Sequence, residues 1–304
     1  MAECGQSPPA MGVDFPEFPT FHLAEMSHPS RPIRFWTLTV LAGATLLTYL
    51  LATAPQAISE LNQNQPSLST EDALTMMALE NDFTRTLFTK AIVGEGKKQG
   101  LAFDENWADE DVHAGPLPAL FLRGVARELS KSDVPLRLFL GSDFPIEGTN
   151  LFKKRQAEVF ATMRTNLQPQ HFQDPSTGEF VGMFPDFASA APCVSCHNQH
   201  INSPKTDWVL GDLMGATTWS YPTDSVSSDE FIAMLKAYRS GVAVVWDAYL
   251  DELQDLEAEK QPHIGNQWPD QGLFIPNQVA LRDSIDALVG RDLLAAFMSN
   301  VHSK

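Results

Sequence analysis

Five consecutive residues constrain this chain more than any others: Cys193, Val194, Ser195, Cys196 and His197. Two cysteines separated by two residues and followed at once by histidine form the attachment signature of a c-type haem. The chemistry explains the spacing. Each thiol adds across one vinyl group of the ring, and the adjoining His197 then lies beneath it as the proximal iron ligand. A fold that carries this motif must bring two thiols and an imidazole to one flat, largely apolar partner. The motif occurs once, so one covalent haem c is expected.

A bare CxxC also serves thioredoxin-like redox pairs and half zinc sites. The first would sit at a helix start after a strand in a βαβ unit. The second would lack two cysteines, although His197 and His200 could supply nitrogen. The only other cysteine is Cys4, so apart from a bridge between Cys193 and Cys196 themselves no disulfide framework can form.

The compartment bears on this choice, because haem attachment of this type belongs outside the cytoplasm. Residues 1–34 are rich in Pro and Ser with no helical or strand period, and read as a flexible cytoplasmic tail. Residues 35–54 form an uncharged apolar run of about 20 residues, roughly 30 Å as a helix. Arg31 and Arg34 precede it, and no basic residue follows closely. The asymmetry predicts a single inner-membrane span with the remainder in the periplasm or another extracytoplasmic space. Ala52-Thr53-Ala54 resembles a signal cleavage site, but Pro55 follows at once, so a retained anchor is the preferred reading.

Beyond a linker at 55–72, a haem domain is expected over 73–225 and a helical extension over 226–304. Helical spacing of apolar residues runs from Thr70 to Gly94, where Gly94, Gly96 and Gly100 should break it. A helix is predicted over 119–130, a strand over 134–140 and an amphipathic helix over 152–167. Residues 171–172 and 179–183 read as a hairpin, and 213–221 as a last strand. Ser227 to Glu230 is a helix start, with helix to about 260, and 277–298 form a final helix with a kink at Gly290. The fold class is therefore α+β: an antiparallel sheet with flanking helices.

The chain carries 38 acidic and 21 basic residues, a formal charge of −17, which argues against nucleic-acid binding. Acidic runs at 104–111 and 251–259 are either solvated surface or a face for a basic partner. No nucleophile–base constellation marks a hydrolase, so the protein is expected not to be an enzyme.

A resemblance refines this reading. The run Cys193 to His200, followed by Ser203-Pro-Lys-Thr-Asp-Trp208, Leu210-Gly-Asp212 and Gly215, resembles the bacterial family of monohaem c-type sensor domains with a PAS-like fold. Some members stand alone, as in cyanobacteria, and others precede histidine kinases or nucleotide cyclases. The resemblance spans about residues 73–225 and implies a PAS-like sheet around the haem. It implies that Cys193 and Cys196 are the thioether anchors and His197 the iron ligand, with Lys205, Asp207 and Trp208 shaping the pocket. Two departures stand out. No cysteine lies between Cys4 and Cys193 to serve as a distal ligand, and residues 226–304 do not resemble a signalling output. The sixth ligand stays open. His113 is the preferred candidate, His171, His263 and several methionines are others, and a five-coordinate iron is an alternative. His200, tied to the side of the ring that His197 occupies, is placed to bind a propionate or a neighbouring carbonyl. Two functions follow: a redox or diatomic-gas sensor read by a redox or signalling partner, or a one-electron carrier. A second copy of the chain is a further candidate partner.

Overall fold

A computed structural model describes residues 67–109 and 111–302. The expected tail at 1–34, the span at 35–54 and most of the linker lie outside the described residues. Among those described, no helix is long and apolar enough to cross a membrane.

Two short strands set the frame. β1 (Ser67–Ser69) pairs antiparallel with β8 (Ser225–Ser227), with Leu68 opposite Val226 and both buried. Each strand ends in a serine that caps a helix. Ser69 Oγ accepts the Asp72 N–H at the start of α1 (Thr70–Leu87), and Ser227 forms a capping box with Glu230 at the start of α6 (Ser228–Gln254). One ladder thus launches both of the helices that frame the core.

The break expected at Gly94 falls later. Helix continues from α1 into a π-helical stretch, Phe88–Gly94, and then α2 (Glu95–Lys98); the chain turns only at Gly100, where φ is 95°. Phe88 and Ile92 point into the core, and the tertiary packing of these side chains overrides the glycines' weak helical preference. Two-residue strands β2 (Phe103–Asp104) and β3 (Gly115–Pro116) bracket the acidic loop.

α3 (Pro118–Leu129) has proline in its first turn, where the missing N–H costs nothing, and buries Phe121, Leu122, Val125 and Leu129. It packs on α6 at Gly124, where a Cβ would come within 2.9 Å of Val245.

The main sheet has the order β4-β7-β6-β5, antiparallel throughout, from β4 (Arg137–Gly141), β5 (Gln170–Gln173), β6 (Phe180–Phe187) and β7 (Leu213–Tyr221). Its two faces follow strand alternation. Leu138, Trp219 and Tyr221 join the larger core with α1, α3 and α6. Met183 and Ala216 face the other way, onto Phe160 and Met163 of α4 (Arg155–Asn166). The architecture is α+β, as expected.

The C-terminal helices are not peripheral. After the parallel pair β9 (His263–Gly265) and β10 (Phe274–Pro276) comes α7 (Gln278–His302), unbroken through Gly290 where a kink was expected. Leu281, Ile285 and Val289, four residues apart, enter the same core as α1. Arg239 of α6 ties them together. It bonds the fully buried Glu80 of α1 through both carboxylate oxygens (2.7 and 3.3 Å) and reaches Asp286 of α7 at 2.7 Å.

Candidate functional site

The motif lies in the connection between β6 and β7. That ladder pairs Asp186 with Gly215, then skips Met214 to pair Phe187 with Leu213, a bulge at the end of the sheet. The connection is closed at its neck by Ala188 N–H to Asp212 O (2.8 Å) and Gly211 N–H to Ala188 O (3.0 Å). The site is a long excursion held by a rigid sheet, a usual arrangement for functional loops.

Within it, α5 (Ala191–Gln199) starts with Pro192 in its first turn. The helix puts Cys193, Cys196 and His197 at i, i+3 and i+4, on one face. Both thiols are free, so the bridge between them does not form. No residue of α5 is buried. The helix is fastened by hydrogen bonds instead of apolar packing. Asn198 grips the following loop with its side-chain amide, donating to Trp208 O (2.9 Å) and accepting the Trp208 N–H (2.8 Å).

This clamp places the Trp208 indole edge-on to the His197 ring, 6.4 Å between centroids and 88° between planes. Phe144 packs on the indole at 6.2 Å, and Lys205 Nζ lies 4.5 Å over it. Lys205 is also ion-paired with Asp207, and this hydrogen bond and charge hold the Asp207 carboxyl below its ordinary range. Lys205, Asp207 and Trp208, linked to the motif by resemblance alone, are thus grouped beside it by contact.

Two atoms in this group lack partners. His197 Nδ1 and Trp208 Nε1 are both buried without a hydrogen bond, two of only five such side-chain atoms among the described residues. Buried polar groups are rarely left so. Burial lowers the His197 pKa, with Asp186 opposing it, so the imidazole is neutral and its lone pair available at pH 7. An unengaged neutral imidazole and two free thiols on the same helix face fit the donor set of a c-type haem, and the orphaned indole N–H is free to donate a hydrogen bond beside them. A bare metal ion has no comparable site: no group of three or more His, Cys, Asp or Glu side chains comes together among the described residues.

Charged residues that no local sequence pattern ties to the motif lie around it. Arg85 of α1 bonds Asp186 at 2.8 Å and lies near Cys193. Burial opposes the Arg85 charge, but Asp186 and Asp82 outweigh it and keep the pKa above its ordinary value. Burial pushes the Cys196 thiol up, Glu105 and Cys193 push it further, and Lys97 opposes them. Glu105 sits 95 positions from its partner His200, a pairing no local pattern signals.

Among the described residues, His200 and His171 are engaged through their ring nitrogens. His200 accepts the Asn202 N–H on Nδ1 (3.1 Å) and therefore donates from Nε2 to Glu105 (2.9 Å). His171 lies against Glu71 and Thr75, and burial lowers its pKa despite Glu71. His263 packs on Phe274. His113 is exposed at a φ of 21° and lies near Glu257, whose carboxyl is held low chiefly by Lys260. None of the hydrogen bonds or ring contacts of the described residues brings His113 to the motif.

A family model described as Tll0287-like matches residues 49–222, which take in α1 to α5 and the whole main sheet. No curated protein and no solved structure matches the chain.

Proposed function

The chain belongs to the Tll0287-like family, whose domain is a haem-binding cytochrome domain, and from that premise we propose that it is a periplasmic, membrane-anchored monohaem cytochrome c that works as a redox or diatomic-gas sensor. Cys193 and Cys196 hold the haem, and His197 is the proximal ligand. The observation that carries this is the His197 imidazole, free of hydrogen bonds, beside two free thiols on one helix face. When bound, the haem would supply one-electron chemistry and a capacity to bind small ligands.

The protein's own residues do the rest. Asn198 fixes Trp208 against His197. Arg85 and Asp186 connect the motif's surroundings to α1, and Glu80 on the same helix engages α6 and α7 through Arg239. The sensor reading rests on this link, and the ring nitrogens of His171 and His200 are engaged by Glu71, Thr75, Glu105 and Asn202 rather than turned to the motif. The antiparallel sheet with helices on both faces supports a PAS-like reading of the domain. The apolar run at 35–54 with arginines before it supports the single span and the periplasmic site.

The exposure of Cys196 favours the second reading, a one-electron carrier with an accessible edge. Spectra of the full chain, matured with haem-attachment machinery and recorded oxidised, reduced, and reduced with CO or NO, separate the two. Ready CO or NO binding is the result expected of a sensor. A low-spin spectrum indifferent to both gases assigns the carrier role.

A further inference from the structure

The surface beside the motif has a composition that the haem site does not require. The three most exposed large apolar side chains among the described residues are Ile201 (94 %), Leu210 (64 %) and Val209 (60 %). All three lie within ten positions of His200. Single exposed apolar residues are ordinary, but three grouped on one short loop are not. The loop is not slack, since Asn198 fixes it at Trp208 and Asp212 accepts the Val209 N–H at 2.9 Å.

Around this apolar centre acids outnumber bases, although Lys97 lies close enough to act on Cys196 and Lys205 belongs to the loop. Glu105 bonds His200, the residue before Ile201, and its loop also exposes Asp104, Asp109 and Asp111. On the other side Asp207 is 84 % exposed. Lys205, on the loop itself, is taken up by Asp207 and the Trp208 ring. An apolar centre with a charged rim is the usual anatomy of a transient protein interface. The sign selects the occupant. A second copy would oppose acid to acid, and an anionic lipid surface would be repelled in the same way.

We propose that residues 201–210, rimmed by the acidic loop of Glu105, are the docking surface for a redox protein with a basic rim around an apolar contact. The inference rests on the haem reading and extends it. A partner seated there lies against the loop that packs on His197, so that the electron path into the motif is short whether the haem reports redox state or passes electrons on.

The test uses the full-length holoprotein and, as probe, a small, strongly basic mitochondrial-type cytochrome c, with electron-transfer rates followed by stopped-flow. The second-order rate should fall about tenfold as ionic strength rises from about 10 to about 300 mM. Ile201→Ser, Val209→Ser and Leu210→Ser together should lower it about fivefold, with the visible spectrum and midpoint potential unchanged. Asp109→Lys with Asp111→Lys should flatten the salt dependence. A rate indifferent to salt, or a triple variant as fast as the wild type, overturns the proposal. So does a wild-type dimer in sedimentation that the triple variant abolishes, which would give the surface to a second copy. Absence of covalent haem, seen before any rate is measured, would instead overturn the haem reading beneath it.

Discussion

Arg239 offers the sharpest energetic test of how the C-terminal helices are bound to the helix that flanks the motif. Glu80 on α1 is fully buried, and Arg239 reaches both of its oxygens while also holding Asp286 on α7. Replacing Arg239 by methionine keeps the aliphatic bulk but leaves the Glu80 carboxylate buried without its cation. Such a loss costs about 3–5 kcal/mol. Asp286 is different: its side chain is 45 % exposed, so Asp286→Asn removes a pair of the surface kind, worth about 0–1 kcal/mol. At about 2–4 °C per kcal/mol for a unit of this size, Arg239→Met should lower Tm by roughly 10 °C and Asp286→Asn by about 3 °C or less. Glu80→Gln combined with Arg239→Met should recover part of the loss, because the uncompensated charge is gone. Thermal unfolding followed by far-UV circular dichroism measures all three. A loss of about 1 kcal/mol or less in Arg239→Met, or a double variant worse than the single, would refute the idea that a buried charge pair clamps α1 to α6 and α7.

Two further outcomes follow from local geometry. Ser227→Ala should cost about 1 kcal/mol at pH 7 by removing the cap of α6. Hydrogen bonds from the Ser227 N–H and hydroxyl hold the Glu230 carboxyl below its usual 4.5. A depressed carboxylate contributes stability above its unfolded pKa and loses it as pH falls through the folded one. The gap between wild type and variant should therefore narrow between pH 7 and about pH 3 in urea titrations; a constant gap would refute the role of Glu230. Gly215→Ala would place a Cβ 2.4 Å from the Gly141 carbonyl oxygen, a backbone atom that cannot swing away. Urea unfolding should show a loss of about 1–3 kcal/mol, and a neutral substitution would mean that β4 and β7 are not so closely set.

Much of the frame was legible because local chemistry and tertiary structure agree. Acids in the first turn after Thr70 announced α1, the Ser227 cap announced α6, and the turn at Asp174 to Gly178 announced the hairpin of β5 and β6, whereas Ser69 did not stand out as the cap of α1. Gly215, quoted only as part of a resemblance, acquires a physical reason in its approach to Gly141. The π-helical stretch was not legible, since its apolar spacing is close to that of an α-helix. Nor was the pairing of β1 with β8, three residues each and more than 150 positions apart. At the site, the motif was readable from covalent chemistry, whereas the contacts of Arg85, Glu105, Asp186 and Asn198 were not, although Glu105 belongs to an acidic run and Asn198 to the stretch that carries the resemblance. Their roles depend on which surfaces the fold brings together, and isolated charged or amide residues have no period to mark them.

The central claim is that Cys193, Cys196 and His197 carry a covalent haem, and one measurement tests it most directly. The full chain, produced with c-type maturation machinery, is denatured and separated from free cofactor, and its absorption as the reduced pyridine complex and its intact mass are recorded. The account predicts one haem per chain retained by the denatured polypeptide, and none in Cys193→Ala with Cys196→Ala. Wild-type protein that folds but releases its haem on denaturation, or a double variant that keeps it, would contradict the account.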